Sequence, residues 1–557
     1  MSGARFYKQE NRRWLPGRRS FLIRSAVLIS AIFLDGCIRK FKPPGYTVPG
    51  KLAGPDQRSG HILRDKIALP PPSGRRKVKT LIIGGGISGL SAARWLKLNG
   101  HDDFELLELE HQPGGNSRSG LNKTSAYPLG AHYITIANAE DRLMTAFLEE
   151  CGVIRAYENG LPVYNEYHLC FDPEERLLIN GQWQEGLVPE FGISDADRRQ
   201  FKKFFGLMEH FRQARGNDGR YAFDIPLDAS SRDERYRRLD RMKFTEYLNE
   251  AGFHAEPLLW YLDYCCKDDY GQQAGKISAW AGIHYFASRR GKAANADTNA
   301  VLTWPEGNGW LSEKLAGGLK THIRQRQLCY KMSPEADGGV NAWVYHAESG
   351  STELICAERV ILATPQFVNQ KLLAGFPDRK LDIRKMNYAP WFVANVTVSG
   401  LPQRSKGPDL CWDNVAYGSD AVGYVNAGHQ LLKRDDGRTV LSWYLPLCKE
   451  QPRVARLTAY TRSYEQWLDI ILPDLEFMHP GITPFIEEVE CWVWGHGMIS
   501  PVPGYIWGDD RGLASQPLNG NIFFAHTDLS GISIFEEAFH QGIRAAREVL
   551  QSYGKKD

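Results

Sequence analysis

One stretch, Val78 to Gly115, constrains this chain more than any other. It reads as a hydrophobic strand (Lys77 to Ile83), a glycine turn (Gly84, Gly85, Gly86, Ile87, Ser88, Gly89), a helix opening at Leu90, and a second strand ending near Glu108. Gly84, Gly86 and Gly89 have the spacing of a dinucleotide fingerprint. The first glycine permits the tight turn, the second lets backbone approach a pyrophosphate, and the third lets helix pack on strand. Leu90, Ala93, Leu96 and Leu98 have helical apolar spacing, and Gly100 stops the helix. Glu108 follows Gly89 by 19 residues, at the end of Phe104 to Leu107, where a carboxylate can hold ribose hydroxyls and would repel a 2′-phosphate. A glycine-rich surface turn would require strand, helix and acid to coincide by chance.

Six residues after Glu108 stand Gly114 and Gly115, followed by Asn116, Ser117 and Arg118. This resembles the paired-glycine motif of FAD enzymes in the flavin amine oxidase, protoporphyrinogen oxidase and phytoene desaturase superfamily. The similarity returns at Asn521 to Leu550, where Ile522 to Asp528 reads as a strand running into an acid and Phe535 opens a closing helix. The resemblance implies that Asp528 lies beside the flavin ribityl and diphosphate. It also implies that the helix N-terminus at Phe535 faces the pyrimidine end of the ring, where reduction builds negative charge. Tyr127 to Ile134 resembles the segment under the flavin, with Gly130 and Ala131 keeping backbone close to the ring; His132 then touches substrate or cofactor, or is a packed histidine satisfied by backbone. Trp304 to Leu311 resembles the family's lead-in to a helix, Arg359 to Pro365 its strand ending at the dinucleotide, and Leu328 to Met332 the strand whose backbone meets the adenine. The similarity covers about residues 78 to 550.

The implied fold is α/β: a Rossmann-type FAD-binding domain interleaved with a mixed sheet-plus-helices substrate domain. Cofactor segments fall at 77–139, 301–375 and 491–557, and substrate segments at 140–300 and 376–490. FAD is expected to be held without a covalent link, since no cysteine lies between Cys491 and Asp557.

At 557 residues with 43% hydrophobic and 11% aromatic content, the chain can build several sizeable cores. Its net charge of +3, with no long basic run interleaved with aromatics beyond the N-terminus, argues against nucleic acid. Residues 1–37 read as an export signal. Arg18, Arg19, Ser20, Phe21, Leu22 resembles a twin-arginine motif, and Ser25 to Leu34 is apolar but shorter than the roughly 20 residues that span a bilayer. Leu34, Asp35, Gly36, Cys37 resembles a bacterial lipoprotein box, apart from Asp35 where a small residue is usual. The expectation is a periplasmic protein handed to the machinery that exports folded proteins and tethered through Cys37, with an uncleaved signal anchor as the alternative. Residues 38–76, rich in Pro, Gly and charge, read as a tether or an extended arm laid over the domain. Apart from Cys37 there are nine cysteines, with no metal-site spacing, so no metal is expected; a vicinal disulfide at Cys265 and Cys266 stays open.

The pattern from about 140 to 300 is helical and amphipathic, with aromatic clusters (Trp260, Tyr261, Tyr264; Trp280, His284, Tyr285, Phe286) that suit either a core or a substrate cage. The alternating charges from Arg232 to Arg241 suit a solvated helix face, and 376–490 alternates as a sheet roofing the flavin should. Two departures from the family bear on chemistry. Amine oxidases of the superfamily usually carry a lysine, in a strand soon after the Ala-x-Pro motif, that holds a water at the flavin. The corresponding strand here, Pro390 to Val396, has none, and Asn395 is the expected occupant. Ile534 stands where an aromatic wall is usual. His496 is the expected proton-handling or substrate-orienting residue, with a structural histidine in a glycine-flanked turn as the alternative. The expected function is an FAD-dependent oxidoreductase removing hydride equivalents from a small organic substrate such as an amine or polyamine. Slow turnover with oxygen and another electron acceptor are part of that expectation. The alternatives are a C–C desaturase and a flavin-bearing partner protein without its own small substrate.

Overall fold

A computed structural model describes residues 47–402, 406–432 and 437–555. The export signal, with Arg18, Arg19 and Cys37, lies outside the described residues. The chain divides after Val48, and the architecture below is that of the unit beginning at Pro49.

Two sheets organise this unit. In the seven-stranded sheet, Arg75–Ile83 sits between Phe104–Leu107 and Thr352–Leu362, parallel to both. These strands are apolar on both faces because helices cover them, as a parallel sheet requires. Thr352–Leu362 changes partner along its length: its first half pairs with Val340–His346, and its second half receives Ile522–Phe524 in parallel. The sheet thus joins strands separated by more than four hundred residues of chain. The helix Ile87–Leu98 covers one face and is itself crossed by the closing helix Phe535–Ser552. That crossing is close because Gly542 has no side chain: a Cβ there would stand 2.2 Å from the Ser88 carbonyl oxygen.

The eight-stranded sheet runs Gly50–Ala53, Ile486–Ser500, Asn387–Val398, Thr439–Pro446, Tyr424–Asn426, Asp413–Ala416, Glu175–Ile179, Gln182–Glu185. Its central strands are buried on both faces, and its inner face packs on the helices Asp195–Gln213, Glu256–Tyr270 and Ala279–Ala287 in one aromatic-rich core.

Several expectations need correction. Residues 140–300 are not helical throughout: Ile154–Glu158 and Leu161–Tyr164 form one hairpin and Glu175–Ile179 and Gln182–Glu185 another, and only the latter joins the large sheet. Segment 376–490 contains, beside its strands, the helices Pro452–Thr461 and Tyr464–Met478. The strand Ile486–Ser500 runs unbroken through the expected boundary at 490/491. Of the two readings of 38–76, the described part is an arm laid on the domain and no plain tether, though it is not extended throughout: Gly50–Ala53 is a strand paired with Val489–Trp492 and Gln57–Asp65 a helix. Cys265 and Cys266 are free thiols on a helix, with no disulfide between them. Among the described residues no helix is long and apolar enough to cross a membrane, and no group of His, Cys, Asp and Glu is placed to hold a metal.

Candidate active site

The glycine turn forms a cradle. Gly84 has φ +107°, and a Cβ there would lie 2.6 Å from the Ala363 carbonyl oxygen; at Gly89 it would lie 1.9 Å from that of Gly84. Both glycines are therefore required by protein packing. Gly86 differs, since the nearest atom to a Cβ there is Cα of Gly115, 4.0 Å away. The paired glycines face it: Gly114 bridges to Gly86 and donates its amide to the Gly85 oxygen at 2.8 Å, and Gly115 has φ +58°. Gly86 is also the N-cap of Ile87–Leu98, which has no side-chain cap, so the first-turn amides are directed at this open space. Such a cradle suits a pyrophosphate.

An acid stands at each side. Glu108, buried, accepts the Gly85 amide on Oε2 and the Glu110 amide on Oε1, each at 2.8 Å, and burial pushes its pKa up. Beside it Arg118, also buried, lies over the rings of Trp492 and Trp494, pairs with Glu110 at 3.1 Å and donates Nε to the Gly115 oxygen at 3.2 Å. Asp528, on the far side, accepts the Gln366 amide at 2.7 Å and the Tyr388 hydroxyl at 2.5 Å, and pairs with His526 at 2.9 Å. Burial opposes its ionisation, yet His526 and these donors together hold its pKa below the usual carboxylate range.

Beyond the cradle is a cavity of about 150 Å³. Its floor is Gly130 and Ala131. A Cβ on Gly130 would strike the Asn116 carbonyl oxygen at 2.4 Å, the same oxygen that accepts the Ala131 amide at 2.9 Å, so the backbone here can present a flat, close surface. Trp391, Tyr444 and Trp494 form walls, and Ser533, Ile534, Phe535 and Glu536 close one end with the start of the last helix. That helix N-terminus has no side-chain cap either. It does carry a carboxyl, Glu536, whose pKa burial raises to about 7.

Open cradle, uncapped helix start, flanking acids and flat-floored cavity fit FAD. Gly84, Gly86, Gly89, Gly114 and Gly115 would hold its diphosphate, Glu108 its ribose, Asp528 its ribityl side, and Gly130, Ala131 and Phe535 its ring.

A second chamber of about 550 Å³ shares His132, Tyr133, Thr135, Asp268, Arg289 and Tyr444 with the first. His132 packs against Tyr444 with tilted rings 4.7 Å apart between centroids, and burial lowers its pKa to about 4, so a neutral imidazole stands between the two spaces. Tyr261, Tyr264, Tyr285 and Trp412 line the chamber together with Glu175, Asp268 and Asp413. Arg289 is already taken, donating to both oxygens of Asp269 at 2.9 and 2.7 Å. The Asp268 pKa rises to about 7 through burial and the Asp269 charge, and that of Asp413 is pushed well up through burial, Glu175 and Asp268. Burial also raises Glu175. The sequence reading did not single out these three acids. Asp268 could have been found, because it follows Tyr261 and Tyr264 at helical spacing; Glu175 and Asp413 are brought to it only by the sheet.

Two expected residues stand elsewhere. Asn395 does not reach the cavity: Trp391 and Val393 of its strand do, while Asn395 is buried farther along, accepting the Ser442 hydroxyl at 2.6 Å. His496 is also outside. Its neighbours Gly497 and Met498 line the cavity, whereas the His496 ring stacks on Phe367 at 4.4 Å, because the pairing of the two strands slips between Ala389 and Trp391 and turns the side chains.

A family model described as flavin containing amine oxidoreductase matches residues 87–550. No curated protein matches the chain. Among solved structures, an engineered triple mutant of putrescine oxidase is similar at 15% identity and TM-score 0.61, over 86% of this chain and 99% of that one. Cyclohexylamine oxidase from Brevibacterium oxydans is similar at 13% identity and TM-score 0.61, over 86% and 100%. A proposed protoporphyrinogen oxidase from an Exiguobacterium species is similar at 15% identity and TM-score 0.56, over 86% and 99%. At these identities the structural likeness concerns the fold.

Proposed function

Because the chain belongs to the flavin containing amine oxidoreductase family and is an FAD-dependent oxidoreductase, we propose that it oxidises a small amine, polyamines included, at the carbon beside nitrogen. The observation that supports this reading is the chamber beside the flavin bed, where Glu175, Asp268 and Asp413 form no ion pair among the described residues, the nearby Arg289 being held by Asp269, and aromatic rings surround them. An ammonium group can ionise such carboxyls, pair with them and rest against the rings. Bound FAD supplies a two-electron acceptor. The remaining work falls to the chain: Tyr444 and Trp391 confine the substrate carbon beside the Gly130–Ala131 floor, His132 stays neutral, and Asp268, with its pKa near 7, takes the ammonium proton so that a neutral amine reacts. The strand that faces the cavity offers Val393 and no lysine, which supports slow reaction with oxygen and a different electron acceptor.

An anaerobic screen of amines, polyamines and unsaturated ring compounds, read by flavin absorbance, tests the reading. Bleaching by an amine, slowed about a hundredfold or more in Asp268→Asn, is expected. Bleaching only by an unsaturated ring would select C–C desaturation, and no bleaching by any small molecule would favour a flavin-bearing partner protein.

The same proposal extends to location. Arg18, Arg19 and the apolar run support twin-arginine export, and Cys37 a lipid tether in the periplasm. The double variant Arg18→Lys, Arg19→Lys should stay in the cytoplasm, and Cys37→Ser should appear as a soluble periplasmic form; normal export and unchanged membrane retention are the contrary results.

A further inference from the structure

The arm that precedes the glycine cradle makes contacts that no requirement of the substrate explains. Its strand Gly50–Ala53 runs parallel to Val489–Trp492, extending the edge of the large sheet toward the cleft. The chain then turns at Gly54, where a Cβ would lie 3.0 Å from the carbonyl oxygen of Val493, between the two tryptophans on which Arg118 rests.

Asp56 comes next, and it is tied three ways. Its amide donates to Glu110 Oε1 at 2.7 Å, its side chain caps the helix Gln57–Asp65 by accepting the Ser59 amide at 3.0 Å, and its other oxygen accepts Arg326 Nη1 at 2.8 Å. Glu110 is the residue whose own amide binds Glu108, and whose second oxygen pairs with Arg118. The residue after Arg326, Gln327, donates its amide to the Glu108 carbonyl oxygen at 2.8 Å. Both anchors of Asp56 outside its own helix therefore lead within two residues to Glu108.

The helix continues across the cleft. A Cβ on Gly60 would lie 3.6 Å from the Leu109 side chain, and Leu63, like Phe367, packs against the core that contains Leu107 and Leu529. At that end the His496 ring stacks on Phe367, next to the Gln366 whose amide holds Asp528. From Asp56 to Leu63 the arm thus runs from the Glu108 side of the cradle to the Asp528 side.

We propose that residues 49–66 are a strap across the dinucleotide cleft, latched by Asp56 to Glu110 and Arg326, which the cofactor must lift in order to leave. The strap lies before the matched residues 87–550 and acts on cofactor retention, independently of the substrate. Closing a bound ligand under a segment of its own lower stability makes release wait on local opening of that segment.

The test uses full-length holoprotein and reads free flavin fluorescence after dilution, with trypsin cleavage after Arg58, Arg64 and Lys66 as the report on the strap itself. Asp56→Asn and Arg326→Gln should each release FAD about tenfold faster than the unaltered chain, since each removes a part-buried charge contact, while an asparagine in place of Asp56 can still cap the helix. The double variant should be no faster than the faster single one, because both act on one latch. Both variants should also be cut sooner by trypsin. Unaltered holoprotein clipped at Lys66 should lose flavin as the variants do, and it serves if a variant does not fold. Flavin release unchanged in the variants or in the clipped protein, whether or not cleavage is faster, overturns the strap.

Discussion

Glu537 is fully buried at the start of the closing helix and accepts the Leu227 amide; burial raises its pKa to about 8. An unfolded chain titrates a glutamate near 4.3. Between about pH 4 and 8 the folded state therefore keeps a proton that the unfolded state has lost, and stability declines as pH rises through that window. Glu537→Gln removes the dependence, so its melting temperature relative to the parent should improve steadily from pH 5 to pH 8, and a constant difference would contradict the assignment. At Gly86 the side with no neighbour but Gly115 is the side offered to the diphosphate. Gly86→Val should give folded but colourless protein, and a fully flavin-loaded variant would remove the cradle. Val393 marks the place where the strand meets the cavity. Val393→Lys should speed reoxidation by oxygen about tenfold or more, measured by stopped flow after anaerobic reduction.

Among elements, those that hold the cofactor were the most legible. The strand, turn and helix from Arg75 to Leu98 lie within three residues of where apolar spacing and glycines place them, because phosphate recognition through backbone amides needs a local, contiguous geometry. The closing helix was equally legible, and its crossing with Ile87–Leu98 leaves no space at Gly542. Gly542→Leu should therefore cost about 1–3 kcal/mol or more by forcing the helices apart, and should loosen flavin with it, as thermal denaturation and bound-flavin absorbance would show. The strands Glu175–Ile179 and Gln182–Glu185 were not legible: they are only a few residues long, and their hairpin joins the sheet through pairing of the first strand with Asp413–Ala416, more than two hundred residues away. The arm was legible only as an extended segment: its strand is four largely exposed residues and its amphipathic helix is short and low in apolar content, so neither offers a sustained apolar run.

For the whole molecule, FAD held in the proposed way would be a cross-link without covalent bonds, drawing together residues 84–118, 363–366 and 527–535. Acid release of FAD should lower the melting temperature, and excess FAD should restore it; a ligand at a thousand times its Kd stabilises the fold by about 4 kcal/mol. A melting temperature indifferent to flavin would argue against a cofactor shared by distant segments. The sequence alone picked out the residues that meet at the cradle, from Gly84, Gly86 and Gly89 to Glu108, Gly114, Gly115 and the distant Asp528, because glycine turns and acids at strand ends are local features that the fold then brings together. The substrate half was decided by tertiary structure. Which of Val393 and Asn395 reaches the cavity depends on the register of the strand, and a slip at Ala389 and Trp391 turns His496 away. Glu175, Asp268 and Asp413 share one chamber only because two sheet strands and a helix from separate segments pack around it, and side-chain direction across such distances is set by packing and register, not by local pattern.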